Sequence, residues 1–226
     1  MSLSTTIFSF LVLFSSCFGN ASNRPSHNNQ KENTNWIITD LLKSGELIAE
    51  TTGNPKLTES PYGKAVWFDG EDDGLWLDEL PLKGLTEFTV EMIFCPDSTQ
   101  APFEQRMLHI GEDRGDRMLL ELRAVNGNWY FDGYAKSGEN KKALIDEQLT
   151  HPLGQWYHVA FVVTPNSMTT FVNGTQELTE DFPFLPIQSG ATSIGTRIDK
   201  RSWFKGAIYK IKITPQAIKP IDFMAF

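Results

Sequence analysis

From Trp156 to Val163 every position is apolar or aromatic except His158. Tyr157, Val159, Phe161 and Val163 fall on one side of a period-two strand, and Trp156, His158, Ala160 and Val162 on the other. Alternation with apolar residues on both faces marks a strand in the interior of a sheet. Thr164-Pro165-Asn166-Ser167 then reads as a turn, because proline presets φ while Asn and Ser bond neighbouring backbone. Met168–Val172 is a second β-branched and aromatic run. Asn173-Gly174 after it tolerates the positive φ of a two-residue hairpin. The stretch from Gln155 to Thr175 is thus three short strands joined by two tight turns.

The same alternation recurs on both sides. Ala65–Phe68 is a strand that turns through Asp69-Gly70 to Asp73-Gly74, and Leu75–Leu77 returns. Leu85–Cys95 puts Phe88, Val90, Met92 and Phe94 on one face and Thr89, Glu91 and Ile93 on the other. Met107–Ile110 and Met118–Ala124 flank a polar loop, Gly111–Asp116. Asn126-Gly127-Asn128 is a hairpin turn into Trp129–Tyr134. Ser137–Lys142 reads as a charged loop, Ser193–Gly195 as a short strand, and Asp199-Lys200-Arg201 as a basic loop. Phe204–Ile213 is a long alternating strand. Trp36–Leu42 fits a strand or a short helix equally, and Gly45–Pro61 holds short apolar pieces around Gly53-Asn54-Pro55. Short strands punctuated by turns predict an all-β sandwich or barrel. No long amphipathic helix, internal repeat or second domain is expected.

The N-terminus breaks the pattern. Ile7–Phe14 is an apolar run too short to span a membrane, followed by small residues, as in a secretory signal. Residues 1–21 are expected to be that signal, with Gly19-Asn20-Ala21 suiting ordinary cleavage. Phe14-Ser15-Ser16-Cys17 alternatively suits a lipoprotein signal in which Cys17 carries the lipid. Residues 22–33 form a polar tether, and 34–226 the domain. The expected location is therefore outside the cytoplasm: secreted, periplasmic or at the cell surface. Cys95 is left alone, so no internal disulfide is predicted; it reads as a buried, inert thiol.

Composition narrows the function classes. Hydrophobic residues at 40% and charged residues at 21% fit a soluble globular protein. A net charge of −8 with no basic stripe argues against nucleic acid. Sixteen Phe and six Trp suit both β-sheets and sugar-binding surfaces.

Six motifs in order resemble the laminin-G-like, concanavalin A-like lectin and glucanase family. They are Phe68-Asp69-Gly70 with Asp73, Phe88-Thr89-Val90-Glu91, Trp156-Tyr157-His158-Val159-Ala160, Val172-Asn173-Gly174, Ile194-Gly195, and Phe204-Lys205-Gly206-Ala207-Ile208. The resemblance covers residues 60–215 and implies a jelly-roll β-sandwich of two antiparallel sheets, one of them concave. It also implies a rim calcium held partly by Asp69. A second Asp that the family often places after its Gly-Ala-Ile motif is Tyr209 here.

The candidate chemistry follows from residue types. Asp69, Glu71, Asp72 and Asp73 supply hard oxygens of the kind calcium takes, with Asp69 and Asp73 the leading ligands; the same residues would also serve as plain turn formers. Glycosidases on this fold resemble one another in carrying alternating carboxylates along one strand, and no such run occurs. Glu91 and Glu121 each stand between apolar neighbours, and the histidines share no metal-ligand spacing. His158 reads as a structural, hydrogen-bonded residue. Sugars are expected instead to meet aromatics at hairpin ends and loops: Trp129, Tyr130, Tyr134 and Trp203, with Arg197, Lys200 and Arg201 close to Trp203 in sequence. Cations beside an aromatic would suit an acidic or sulfated glycan. The leading expectation is a non-catalytic module that binds an extracellular polysaccharide. A protein-interaction or adhesion module, and a lyase or hydrolase with an unrecognised site, are the alternatives.

Overall fold

The computed structural model describes Met1 and residues 31–226; the expected signal, Cys17 and most of the tether lie outside the described residues. The strands in chain order are β1 (Thr34–Ile37), β2 (Ile48–Thr52), β3 (Lys56–Ser60), β4 (Gly63–Asp69), β5 (Gly74–Leu77), β6 (Phe88–Pro96), β7 (Glu104–Gly111) and β8 (Arg117–Val125). They continue with β9 (Asn128–Ser137), β10 (Asn140–Ile145), β11 (His151–Pro152), β12 (Tyr157–Val163), β13 (Ser167–Val172), β14 (Thr175–Asp181), β15 (Ala191–Ile194) and β16 (Lys205–Thr214). Among the described residues one α-helix, α1 (Ile38–Ser44), follows β1 directly, and a short 3-10 turn spans Pro220–Asp222. Trp36–Leu42 is therefore strand and helix in succession. The helix stops at Gly45, whose φ of 64° lets its N–H reach the Leu41 carbonyl at 3.0 Å.

Two antiparallel eight-stranded sheets build the fold. The first runs β14-β13-β12-β6-β16-β4-β3, with β1 on β16; the second runs β10-β9-β8-β7-β15-β5-β2, with β11 on β9. Among the described residues this is the sandwich that the strand pattern and the resemblance predict. The apolar run Trp156–Val163 supplies β12, an interior strand between β13 and β6. Tyr157, Val159, Phe161 and Val163 enter the core between the sheets, beside Phe88, Val90, Met92 and Phe94 of β6. Its other face, Ala160 and Val162 with Phe171, is covered by Ala217 and Phe223 of the C-terminal segment.

Two local expectations need correction. Ser137–Lys142 is not a loop: its residues 140–142 begin β10, turning back on β9 with Asn140 opposite Ser137. A turn of only Gly138 and Glu139 suffices, because Gly138 adopts φ 59°. Gly45–Pro61 likewise contains two edge strands, β2 and β3, which the short apolar pieces conceal because their side chains are largely exposed. Cys95 is partly buried near the end of β6, and burial pushes its thiol up to about 11, as suits an unreactive cysteine.

Candidate functional site at one rim of the second sheet

The β4–β5 turn is organised by two aspartates. Asp69 Oδ1 accepts backbone N–H bonds from Glu71 at 2.8 Å, Asp72 at 3.1 Å and Asp73 at 3.2 Å. Asp73 accepts the N–H of Asp69 at 3.0 Å on one oxygen and that of Asn54 at 2.6 Å on the other. The 53–56 loop is thereby tied to the turn, and the Thr52 hydroxyl donates to the Asp72 carbonyl at 2.7 Å. Gly53 sits at φ 64°, and a Cβ there would run into the carboxylates of Asp72 and Asp73. Burial raises the Asp73 carboxyl above its usual range, and the nearby charges of Asp69 and Asp72 add to this. Burial works the same way on Asp69, but the backbone N–H groups aimed at it prevail and lower it.

The bonds are those of an Asp-organised turn, and the same carboxylates also meet the spacing that a bound cation needs. One carboxylate oxygen from each of Asp69, Asp72 and Asp73 lies within 4.8 Å of the others. That spread matches ligands at calcium distances, about 2.3–2.6 Å, around one ion. The three aspartates line an open cleft of about 370 Å³ with Lys56 and the half-buried Trp67. Asp72 thus joins the expected pair. Tyr209, in the position the family often gives to Asp, packs on Tyr62 with ring centroids 5.5 Å apart.

Beside this turn, residues 196–203 leave β15 and fold back over the outer face of the second sheet. The Gly195 N–H bonds the Met107 carbonyl at 2.9 Å, and the Arg106 N–H bonds the Ser202 carbonyl at 2.8 Å. Beneath the loop the buried His109 ring donates from Nε2 to the Glu112 carbonyl at 3.0 Å and accepts the Ile198 N–H at 3.5 Å. Burial depresses this histidine to about 3, so it is neutral, as those two bonds require. Trp203 packs edge-on against Trp76, with centroids 6.1 Å apart at 74°. The Trp76 indole N–H donates to the Ile198 carbonyl at 3.1 Å, and Lys200 Nζ stands 5.0 Å from the Trp76 ring centroid. Gly74, the residue after Asp73, lies directly under this pair: a Cβ there would meet Trp203 and Trp76 at 3.0 Å each. The acidic turn and the aromatic pair therefore share one rim.

The predicted ligand-binding residues divide. Trp203, Lys200 and Arg201 lie at this rim and are partly or fully exposed. Arg197 does not present a free cation: its buried guanidinium bonds the Asp113 carbonyl at 2.5 Å and lies 3.5 Å from the Asp199 carboxylate. Arg201 pairs with Asp199 at 2.7 Å, and Lys200 with Glu50 at 2.5 Å. Each cation of the basic loop thus has an acidic partner inside the chain, which removes the charge argument for an acidic glycan. Trp129 is a correction. Its ring is fully buried in the core, edge-on to Phe94 at 5.2 Å and Tyr157 at 5.0 Å. Trp129 points inward in the pleat of β9, and Tyr130 takes the outer face. Tyr134 shares that face but sits toward its other end, where its hydroxyl accepts Arg117 Nη2 at 3.1 Å.

Glu121 is also not alone. It stands directly opposite Asp132 across β8 and β9, and both side chains are almost completely buried. Arg106 binds Glu121 at 2.6 Å, and Arg123 binds Asp132 at 2.7 Å and Glu121 at 3.4 Å. Burial and then the facing Glu121 push the Asp132 carboxyl up to about 7, against the pull of Arg123 and Arg106. Glu91, the other isolated carboxylate of the sequence, accepts His158 at 3.1 Å and the Met224 N–H at 2.6 Å on the opposite sheet.

Comparison with known proteins agrees with this architecture. No curated protein sequence matches the chain. Among solved structures, domain 4 of AbnA, a GH43 extracellular arabinanase from Geobacillus stearothermophilus in complex with arabinotriose, aligns at TM-score 0.62 and 20% identity. It covers 87% of this chain and 88% of that one. A heptameric SAP-like pentraxin from Limulus polyphemus aligns at 0.55 and 17% identity, covering 69% and 77%. The receptor binding domain of botulinum neurotoxin D aligns at 0.55 and 17%, covering 76% of this chain and 45% of that one. These likenesses are of fold. A family model described as the concanavalin A-like lectin/glucanases superfamily matches residues 69–221. The chain belongs to the concanavalin A-like lectin/glucanases superfamily.

Proposed function

We propose that this chain is an exported, non-catalytic module that binds a polysaccharide at the rim shared by the β4–β5 turn and the loop 196–203. One observation carries the reading: Trp203, a partly exposed ring held in place by Trp76, stands next to the aspartate turn through Gly74. Sugars offer C–H faces to such a ring and hydroxyls to fixed polar groups, and this rim has both. A fold neighbour, the arabinanase domain, was solved with arabinotriose, which supports a carbohydrate as the class of ligand. Asp69, Asp72 and Asp73 would hold calcium. The ion would neutralise three close carboxylates and stiffen the turn against Trp203. The N-terminal signal, with Cys17 as an alternative lipid site, gives the route of export and attachment.

The test is a glycan array read for both retention and products. Retention without cleavage, lost in Trp203→Ala, supports the module. Retention that survives Trp203→Ala overturns the rim. The facing pair Glu121 and Asp132 favours a second reading, hydrolysis by paired carboxyl groups. It predicts new reducing ends, abolished by Asp132→Asn.

A further inference from the structure

Three cations stand in line on the outer face of the second sheet. Lys141 of β10 lies directly opposite Lys136 of β9, and Lys136 lies directly opposite Arg117 of β8. Residues opposite one another in antiparallel strands point to the same side. That side is the outer one, because the next residues on the two inner strands, Met118 and Ala135, are buried in the core. Lys141 is exposed, and Lys136 and Arg117 are partly exposed. Like charges directly opposite each other destabilise a sheet, so folding alone does not ask for a run of three.

The other cations of this face are neutralised within the chain. Arg106 and Arg123 hold Glu121 and Asp132, Lys142 holds Glu180, and the cations of the loop 196–203 hold Glu50, Asp113 and Asp199. Among the described residues Arg117, Lys136 and Lys141 have no carboxylate partner within 4.0 Å. The nearby acids are turned elsewhere: Asp116 accepts the Gly138 N–H at 2.7 Å, and Glu112 accepts the Ser189 hydroxyl. Glu139, in the turn beyond the row, is exposed and makes no ion pair with it. Arg117 is fixed in place. Its Nη1 donates to the Gly115 carbonyl at 2.7 Å and its Nη2 to the Tyr134 hydroxyl at 3.1 Å, with Cζ 5.1 Å from the Tyr134 ring centroid. Its buried Nε has no partner. The Tyr134 hydroxyl, having accepted Arg117, keeps its own proton to donate.

The donors select the ligand's chemistry. Side chains opposite one another start about 5 Å apart at Cβ, so two flexible lysines can close on a group held beside Arg117. A carboxylate offers two oxygens and one charge. A phosphate ester offers three terminal oxygens and a charge between about −1.5 and −2 at neutral pH. That is one oxygen for each of three strands, through charge-assisted bonds. We propose that Lys141, Lys136 and Arg117, with the Tyr134 hydroxyl, bind a phosphate monoester on the outer face of the second sheet. The site shares no residue with the Trp203 rim and does not rest on the rim reading.

Calorimetric titration of the full chain tests it, with inorganic phosphate, glucose 6-phosphate, glucose 6-sulfate and glucuronate at matched ionic strength. A chelator is present, so that phosphate cannot reach the aspartate turn through a bound cation. Both phosphate compounds should bind. Equal affinities assign the phosphate group alone, and a tighter sugar phosphate adds contacts from the sugar. Lys136→Gln should lower the affinity about tenfold or more. Lys141 is exposed, so Lys141→Gln should fold like the parent and still bind more weakly. In the unliganded chain at low salt, Lys136→Gln should raise the melting temperature by about 1–3 °C, because it relieves two facing like charges. A lysine kept for stability would lower it. If neither phosphate compound binds, or if both variants bind as the parent does, the site is rejected and the rim reading is untouched. Glucose 6-sulfate or glucuronate binding as tightly as glucose 6-phosphate overturns the choice of phosphate.

Discussion

Asp132 and His109 lie on the same face of the second sheet, both buried, and they respond to pH in opposite senses. Asp132 is raised from the usual carboxylate range to about 7 by burial and by Glu121. The folded chain therefore holds a proton there that the unfolded chain releases near pH 4. Stability from this group is present at low pH and is lost as pH rises from about 4 through 7. His109 is depressed to about 3 by burial. The unfolded chain takes up its proton near pH 6.5, so this group's stability is present above that value and is lost as pH falls toward 3. Between about pH 4 and 6.5 the two slopes offset each other. Asp132→Asn should therefore leave a protein whose denaturation midpoint falls more steeply on acidification. His109→Gln should leave one whose midpoint falls as pH rises over the same window. Urea midpoints at four or five pH values check both signs, and parallel curves for parent and variants would show that neither group titrates as described. At the same scale, Gly53 should resist substitution. Gly53→Ala forces a side chain into φ 64° against the Asp72 and Asp73 carboxylates. It should cost on the order of 1–3 kcal/mol and remove any calcium-dependent gain in melting temperature.

The loop 196–203 shows how much of an element can be read before its contacts are known. Its cations and Trp203 are plain in the sequence, but their partners are not. Trp76, Glu50 and Asp113 lie far off in the chain and arrive only when β15 is set between β5 and β7. Asp69 and Asp73 were legible because their turn closes on itself within five residues, with short-range backbone bonds. The pairing of Glu121 with Asp132 was legible too. Asn126-Gly127 fixes a two-residue hairpin, and the two carboxylates stand equally far before and after it. Counting that register would also have sent Trp129 to the core and Tyr130 to the other side of the sheet, since neighbours on a strand point to opposite faces. Arg197 then follows as the loop's pin: it holds Asp113 on one side and Asp199 on the other. Arg197→Ala should take from Asp113 its buried guanidinium partner and leave Asp199 to Arg201 alone, above the buried His109. It should destabilise the fold by about 1–3 kcal/mol, shift Trp203 fluorescence to the red and weaken glycan retention. Arg201→Ala, which removes a more exposed cation, should change stability little.

Taken as a whole the molecule has two outer faces with different fates. On the first sheet the outer face is closed by the chain itself. Ala217 and Phe223 cover Ala160, Val162 and Phe171, and Phe226 stacks on His158 at 5.1 Å. The Met224 N–H is bonded by Glu91, which also holds His158 and Lys212, both at 3.1 Å. Glu91 and Thr89 thus bond the backbone of that segment, Thr89 through the Gln216 carbonyl and the Ile218 N–H. On the second sheet, among the described residues, the loop 196–203 covers His109 and carries the partly exposed Trp203 against Trp76. The C-terminal strap makes a prediction that separates fold from function. A chain shortened after Gln216 loses the burial of one Phe and its neighbours, about 3 kcal/mol. Its melting temperature should fall by about 6–12 °C, and the uncovered Phe171 and Val162 should make it bind a hydrophobic dye. Below the new transition its affinity for the retained oligosaccharide should equal the parent's, because no residue of the strap touches the ligand face. Loss of binding in a shortened chain that is still folded would place the ligand on the first sheet, and the assignment of the two faces would have to be reversed.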